Sequence, residues 1–178
     1  MSDLPADTER LLRAMEALAL NGSMDPAVRK NAMRIVLEYE PSIPRKAYIK
    51  EIQALFEYAQ GTHPTLKGLK LLKQIGAVAS PPATEKRGGG DAADLAVWLA
   101  AHLYAIGHGP ARYVVVSTKQ KPDLLSHLYV QVRHQDGPFL DREDGSRWLP
   151  LDPTVSHPMG WERAEQGKKV FFDIVRPE

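Results

Sequence analysis

The chain has 178 residues, 43% of them hydrophobic and 25% charged, with a formal net charge of +1 and no cysteine. That length suits one well-buried core rather than two full domains, and the composition is that of a globular protein rather than a disordered one. The near-zero charge gives no electrostatic case for nucleic acid or an anionic membrane, both of which need a concentrated basic patch, and the missing cysteines exclude disulfides, thiolate metal sites and a thiol nucleophile.

No apolar run reaches the length of a membrane span, and Met1 to Asp7 lacks the basic and apolar segments of a secretory signal. Synthesis in the cytoplasm is the expectation. From about Asp7 to Leu20, Leu11, Leu12, Met15 and Leu18 share one helical face, and Asn21-Gly22 predicts the stop. Asp25-Pro26 predicts an N-cap followed by proline at the first helical position, opening a helix with Val28, Ala32, Ile35, Val36 and Tyr39 as its apolar stripe. A third helix is expected from about Pro44, carrying Ile52, Leu55, Phe56 and Ala59 to a stop at Gly61. A shorter one is expected over Thr65 to Ile75.

Gly76 to Gly90 contains Ser80, Pro81-Pro82 and three successive glycines, and reads as a loop. The helix expected from Asp91 to Ile106 is the best defined, with Leu95, Leu99, His102 and Ile106 on a wide apolar face beside Trp98 and Leu103. It ends at Gly107-His108-Gly109-Pro110.

Beyond that point the period switches to two. Tyr113 to Val116 is a short β-branched strand. Leu125 to Arg133 alternates, with Leu128, Val130 and Val132 on one face and His127, Tyr129, Gln131 and Arg133 on the other. Gln135 to Ser146 reads as a long hairpin connection, Arg147 to Leu151 as a strand stopped by Pro153, and Val170 to Val175 as the last strand after an irregular stretch around Pro158 to Trp161. Helices first and an antiparallel sheet after them predict an α+β fold.

Three segments carry chemistry: Gly89-Gly90-Asp91-Ala92-Ala93-Asp94 at a helix start, Ser126-His127 on a strand, and Trp148-Leu149-Pro150-Leu151-Asp152-Pro153-Thr154 at a strand end. In this order and spacing they resemble the transglutaminase-like cysteine peptidase superfamily, whose motifs are Gly-Gly-Asp-Cys-Asp-Asp, a Ser/Thr-His strand and Trp-Val-Pro-Leu-Asp-Pro-Thr. The likeness covers roughly residues 45 to 175, including Ile106 to Arg112. It is closest to small transglutaminase-like proteins encoded among bacteriophage and prophage structural genes.

The resemblance implies a papain-like core, a helix packed on an antiparallel sheet, with residues 1–44 as a helical extension and 45–178 as the domain proper. It also implies a Cys-His-Asp site at Ala92, His127 and Asp152, with alanine where the nucleophile belongs. In such a site a thiol at the first helical turn is acidified by the helix dipole and an imidazolium, and the aspartate orients the ring. The backbone N–H at position 92 survives as an oxyanion donor, but a methyl group cannot attack a carbonyl. Ala93 and the segment Gly61 to Ala79, which lacks the aromatic-rich strand of many relatives, also depart from the family pattern.

Each signal has a plainer reading. His127 alone is a polar residue on the exposed face of a strand, and Asp152 a turn-forming Asp-Pro. Asp91 and Asp94 are explained as favourable charges at a helix N-terminus. His63, His102, His108, His134 and His157 show no metal-binding spacing, no Lys-Ser/Thr follows the glycines as a phosphate loop would require, and neither metal nor cofactor is expected. Trp98 and Trp161 read as core or interface residues.

Two functions follow from the resemblance. One is a pseudoenzyme kept as a structural or partner-binding protein, with phage structural proteins as partners and a place in the virion or its assembly. The other is a cysteine peptidase or acyl-transferase whose nucleophile has been changed to Ala92.

Overall fold

A computed structural model describes residues 4–40, 47–62, 78–133, 147–163 and 166–177. Among them the fold is α+β, with helices α1 (Ala6–Met24), α2 (Pro26–Glu38), α3 (Ala47–Thr62), α4 (Pro81–Arg87) and α5 (Ala92–Ala105) preceding strands β1 (Ala111–Thr118), β2 (Lys121–Arg133), β3 (Trp148–Leu151) and β4 (Gln166–Ile174). The sheet is antiparallel in the order β3-β2-β1-β4. The helix expected over Thr65 to Ile75 and the connection Gln135 to Ser146 lie outside the described residues.

The helix periodicity translates directly into packing. Leu11, Leu12 and Met15 of α1, Ala32 and Ile35 of α2, and Ile52, Leu55 and Phe56 of α3 join Trp98 and Leu99 of α5 in one core with the inward residues of the sheet. That core crosses the boundary expected near residue 44. Tyr113 on β1 donates to the Met15 carbonyl at 3.1 Å, and Glu16 accepts from the Val175 N–H at 2.9 Å.

Two expectations are corrected. The first helix does not stop at Asn21-Gly22 but runs on to Met24, because Gly22 is a contact point rather than a cap. A Cβ there would sit 2.6 Å from Pro81 Cγ and 3.2 Å from Ala101 Cβ, so only glycine lets α1 approach this closely. The second correction is within Gly76 to Gly90, where residues 81–87 form α4. Ser80 caps it through the Ala83 N–H, Pro81 and Pro82 occupy positions whose N–H groups a helix leaves unpaired, and Gly88 ends it with a left-handed φ of 76°. Prolines read as loop markers are here helix starters.

The strands are also longer than the alternation alone suggested. β1 and β2 meet in a tight hairpin with register irregularities at Val116 to Thr118. Leu128, Val130 and Val132 face the core as expected. The opposite face is not solvated, however: Val114, Val116 and Tyr129 form a second small cluster, and Gln131 is buried.

Candidate functional site

His127 and Asp152 reach one another because β2 and β3 pair antiparallel over Val130–Leu151 to Arg133–Trp148. That register places Asp152, the first residue past β3, near the His127 end of β2. The His127 Nε2 and Asp152 Oδ2 atoms are 2.8 Å apart. The other carboxylate oxygen, Oδ1, accepts from the Thr154 N–H at 3.1 Å and the Thr154 hydroxyl at 2.6 Å. The Asp-Pro-Thr turn and the imidazole pairing are thus two uses of one carboxylate. Asp152 is 8% exposed and the His127 side chain 26%.

Burial pushes the Asp152 carboxyl up. The hydrogen bond and charge of His127, with the two Thr154 donors, outweigh that and hold it below its ordinary value. Asp152 is therefore an anion at neutral pH. With Nε2 engaged by the carboxylate, Nδ1 is the nitrogen left to serve a reacting group.

Both residues line a cleft of about 400 Å³, together with Ser126, Tyr129, Trp161 and Arg163. The cleft is walled by the segment after β3. Gln60 of α3 holds that segment by donating to the carbonyls of Val155 and His157 at 2.6 and 2.9 Å, and His157 stacks on Trp161 with ring centres 3.9 Å apart.

Ala92 is the first residue of α5. Asp91 caps the helix by accepting from the Ala93 and Asp94 N–H groups at 3.1 and 3.2 Å, and the Ala92 N–H finds no acceptor among the described residues. A donor in that position is what an oxyanion site needs. The far end of α5 is fixed by Tyr104, whose hydroxyl donates to the Ile174 carbonyl at 2.8 Å and accepts from the Ala111 N–H at 2.9 Å. Ala92 stands at the opposite end, about 20 Å along the helix axis. It is half-buried and is not among the cleft's lining residues, while His127 and Asp152 are in direct contact.

The chain matches no family model, no curated protein and no solved structure.

Sequence reasoning missed two carboxylates. Asp94 is 0% exposed and organises the loop before α5, accepting from the Ala79 N–H at 2.9 Å, Arg87 at 2.9 Å and the Asp91 N–H at 3.2 Å. A Cβ on Gly90 would lie 2.4 Å from Asp94 Cβ, which requires glycine there. Its role goes well beyond a favourable charge at a helix end. Glu162 lies over the outer sheet face, where one oxygen accepts from Tyr129 at 2.6 Å and from Gln131 and Lys169 at 2.8 Å. The alternation His127, Tyr129, Gln131 marks that face, but nothing local to Glu162 signals that three donors converge on it.

Trp98 and His102 belong to the core. Trp98 donates to Glu85 at 2.9 Å and stacks between Tyr58 and His102, at 5.5 and 3.8 Å between ring centres. No group of three or more acidic or histidine side chains among the described residues has metal-binding geometry, and no described helix is long and apolar enough to cross a membrane.

Proposed function

We propose that the chain is a transglutaminase-like domain with a papain-like core that lacks its nucleophile and works as a structural or partner-binding protein, in a phage particle or its assembly. The observation that carries this reading is the His127–Asp152 pair at 2.8 Å, a charge-assisted arrangement built as if to orient an imidazole. Alanine at the head of α5 keeps the backbone donor and removes the sulfur, so no acyl-enzyme forms.

A second feature supports binding without turnover. β3 pairs with β2 only from Val130 to Arg133, and on that side no strand pairs with β2 from Lys121 to Leu128 among the described residues. An extended partner segment laid along this edge gains main-chain hydrogen bonds beside His127. The expected outcome is that the native protein co-purifies with its assembly, and that Trp161→Ala with Arg163→Glu in the cleft releases it. Retention of the doubly substituted protein removes the peptide-groove reading.

The alternative is an acyl-transfer enzyme or cysteine peptidase seen with Ala92 in place of cysteine. The intact pair and the depressed Asp152 carboxyl favour it, because a recently lost nucleophile leaves its partners undisturbed. The codon at position 92 in the source gene separates the two: alanine supports the scaffold, cysteine the enzyme.

A further inference from the structure

We infer that the outward face of α2 is a docking surface for an acidic, apolar-anchored segment of a partner protein. The inward side of this helix is accounted for by Val28, Ala32 and Ile35, which are buried in the core. Leu37 lies about 180° around the axis from Val28 and is 78% exposed. Met33, one turn before it, is 47% exposed, so α2 carries two of the six exposed large hydrophobic side chains among the described residues. Isolated exposed apolar residues need no explanation, but Met33 and Leu37, four residues apart on one helix face, form a pair inside a charged rim.

Charge selects the occupant. Pro26, Arg29, Lys30, Met33, Arg34, Leu37 and Glu38 surround a shallow hollow of about 600 Å³, with three cations against one anion. Arg34 is already engaged, donating to Glu38 at 2.9 Å and to Asn31 at 2.8 Å. The Arg29 and Lys30 side chains have no hydrogen bond or ion pair among the described residues. Two unpaired cations flanking methionine and leucine complement carboxylates set beside aliphatic anchors.

The other occupants fit less well. A second copy brings both sets of Arg29, Lys30 and Arg34 together across the contact, with one Glu38 from each side to offset them. An anionic membrane needs a long apolar helical face to seat the helix, and α2 exposes only Met33 and Leu37 among its large hydrophobic side chains.

The test uses the full chain and a synthetic helical peptide of about 18 residues, with leucines at i, i+3, i+4 and i+7 and glutamates between them. The same peptide with lysines for glutamates is the control. Fluorescence anisotropy is expected to show the glutamate peptide binding at least about tenfold more tightly, with an affinity that falls as salt is added. Arg29→Glu with Lys30→Glu is expected to reverse the preference, and Leu37→Ser to weaken both peptides by about threefold or more. Lys121→Glu, remote on β2, leaves binding unchanged. All four positions are exposed, and circular dichroism and the melting temperature confirm that the variants are folded. Equal binding of the two peptides, or indifference to the α2 substitutions, overturns the inference. So does a concentration-dependent dimer lost in Leu37→Ser, or sedimentation of the chain with phosphatidylserine vesicles.

Discussion

His102 is buried at the centre of the helical layer and has a predictable cost in acid. Its Nδ1 lies 2.8 Å from the Trp98 carbonyl oxygen, which only accepts, so Nδ1 carries the proton. Nε2, 3.1 Å from the Asn31 amide nitrogen, is then the bare acceptor. A second proton would be desolvated and would face a donor. Burial accordingly lowers this imidazole to about 4, against smaller raising effects of the Trp98 carbonyl and the Glu85 charge. The unfolded chain takes up a proton near the ordinary value of about 6.5, whereas the folded chain resists until about pH 4. Stability is therefore fully present above pH 6.5 and is lost as pH falls toward 4. The gap corresponds to about 3 kcal/mol, most of it expended between pH 6.5 and 4.5. Urea unfolding at several pH values, on the native chain and on His102→Gln, isolates this contribution, because other titrating groups are common to both. The native chain is expected to lose about 2 kcal/mol more than the variant between pH 7 and 4.5. Parallel pH profiles would show that His102 is not held neutral.

Asp152 has the same sign at lower pH: its depressed carboxyl stabilises the fold above its ordinary range and loses that contribution as pH falls through the folded value. Asp152→Ala is expected to cost about 2 kcal/mol in urea unfolding at pH 7, as the hydrogen bonds from His127 and Thr154 are lost, and an unchanged midpoint would refute the pairing. Gly22→Ala should lower stability by about 1–2 kcal/mol, since the clash with Pro81 outweighs the gain in helix propensity of about 1 kcal/mol. A rise in melting temperature would show that α1 and α4 are not in close contact. Asp94→Ala should cost about 3 kcal/mol and expose the 79–91 loop to limited proteolysis, because two backbone donors and Arg87 lose one buried acceptor. Resistance to cleavage equal to that of the native chain would contradict its organising role.

What the sequence disclosed, and what it hid, follows a physical division. Periodicity located α1, α2, α3 and α5 because each buries one face, and the Ser-His and Leu-Asp-Pro-Thr segments led directly to a pair in contact. Gly22 and Pro81-Pro82 misled because their meaning depends on what lies opposite in space. Gly22 makes room for another helix, and the prolines start one. Asp94 and Glu162 were invisible as hubs since their donors come from residues distributed along the chain, from Ala79 to Asp91 and from Tyr129 to Lys169. The covering of the outer sheet face is not legible in the sequence, because alternation reports which side is apolar and is silent on what later covers the polar side.

The vacated-site proposal is tested most directly by restoring the sulfur. Ala92→Cys would introduce the chain's single cysteine, and its alkylation by iodoacetamide across pH, with and without His127→Ala, reads out whether an imidazole lies in reach. The account predicts a thiol that reacts well below the ordinary cysteine range of about 8.5 and returns to that range when His127 is removed. A thiol that titrates like free cysteine in both proteins would contradict it.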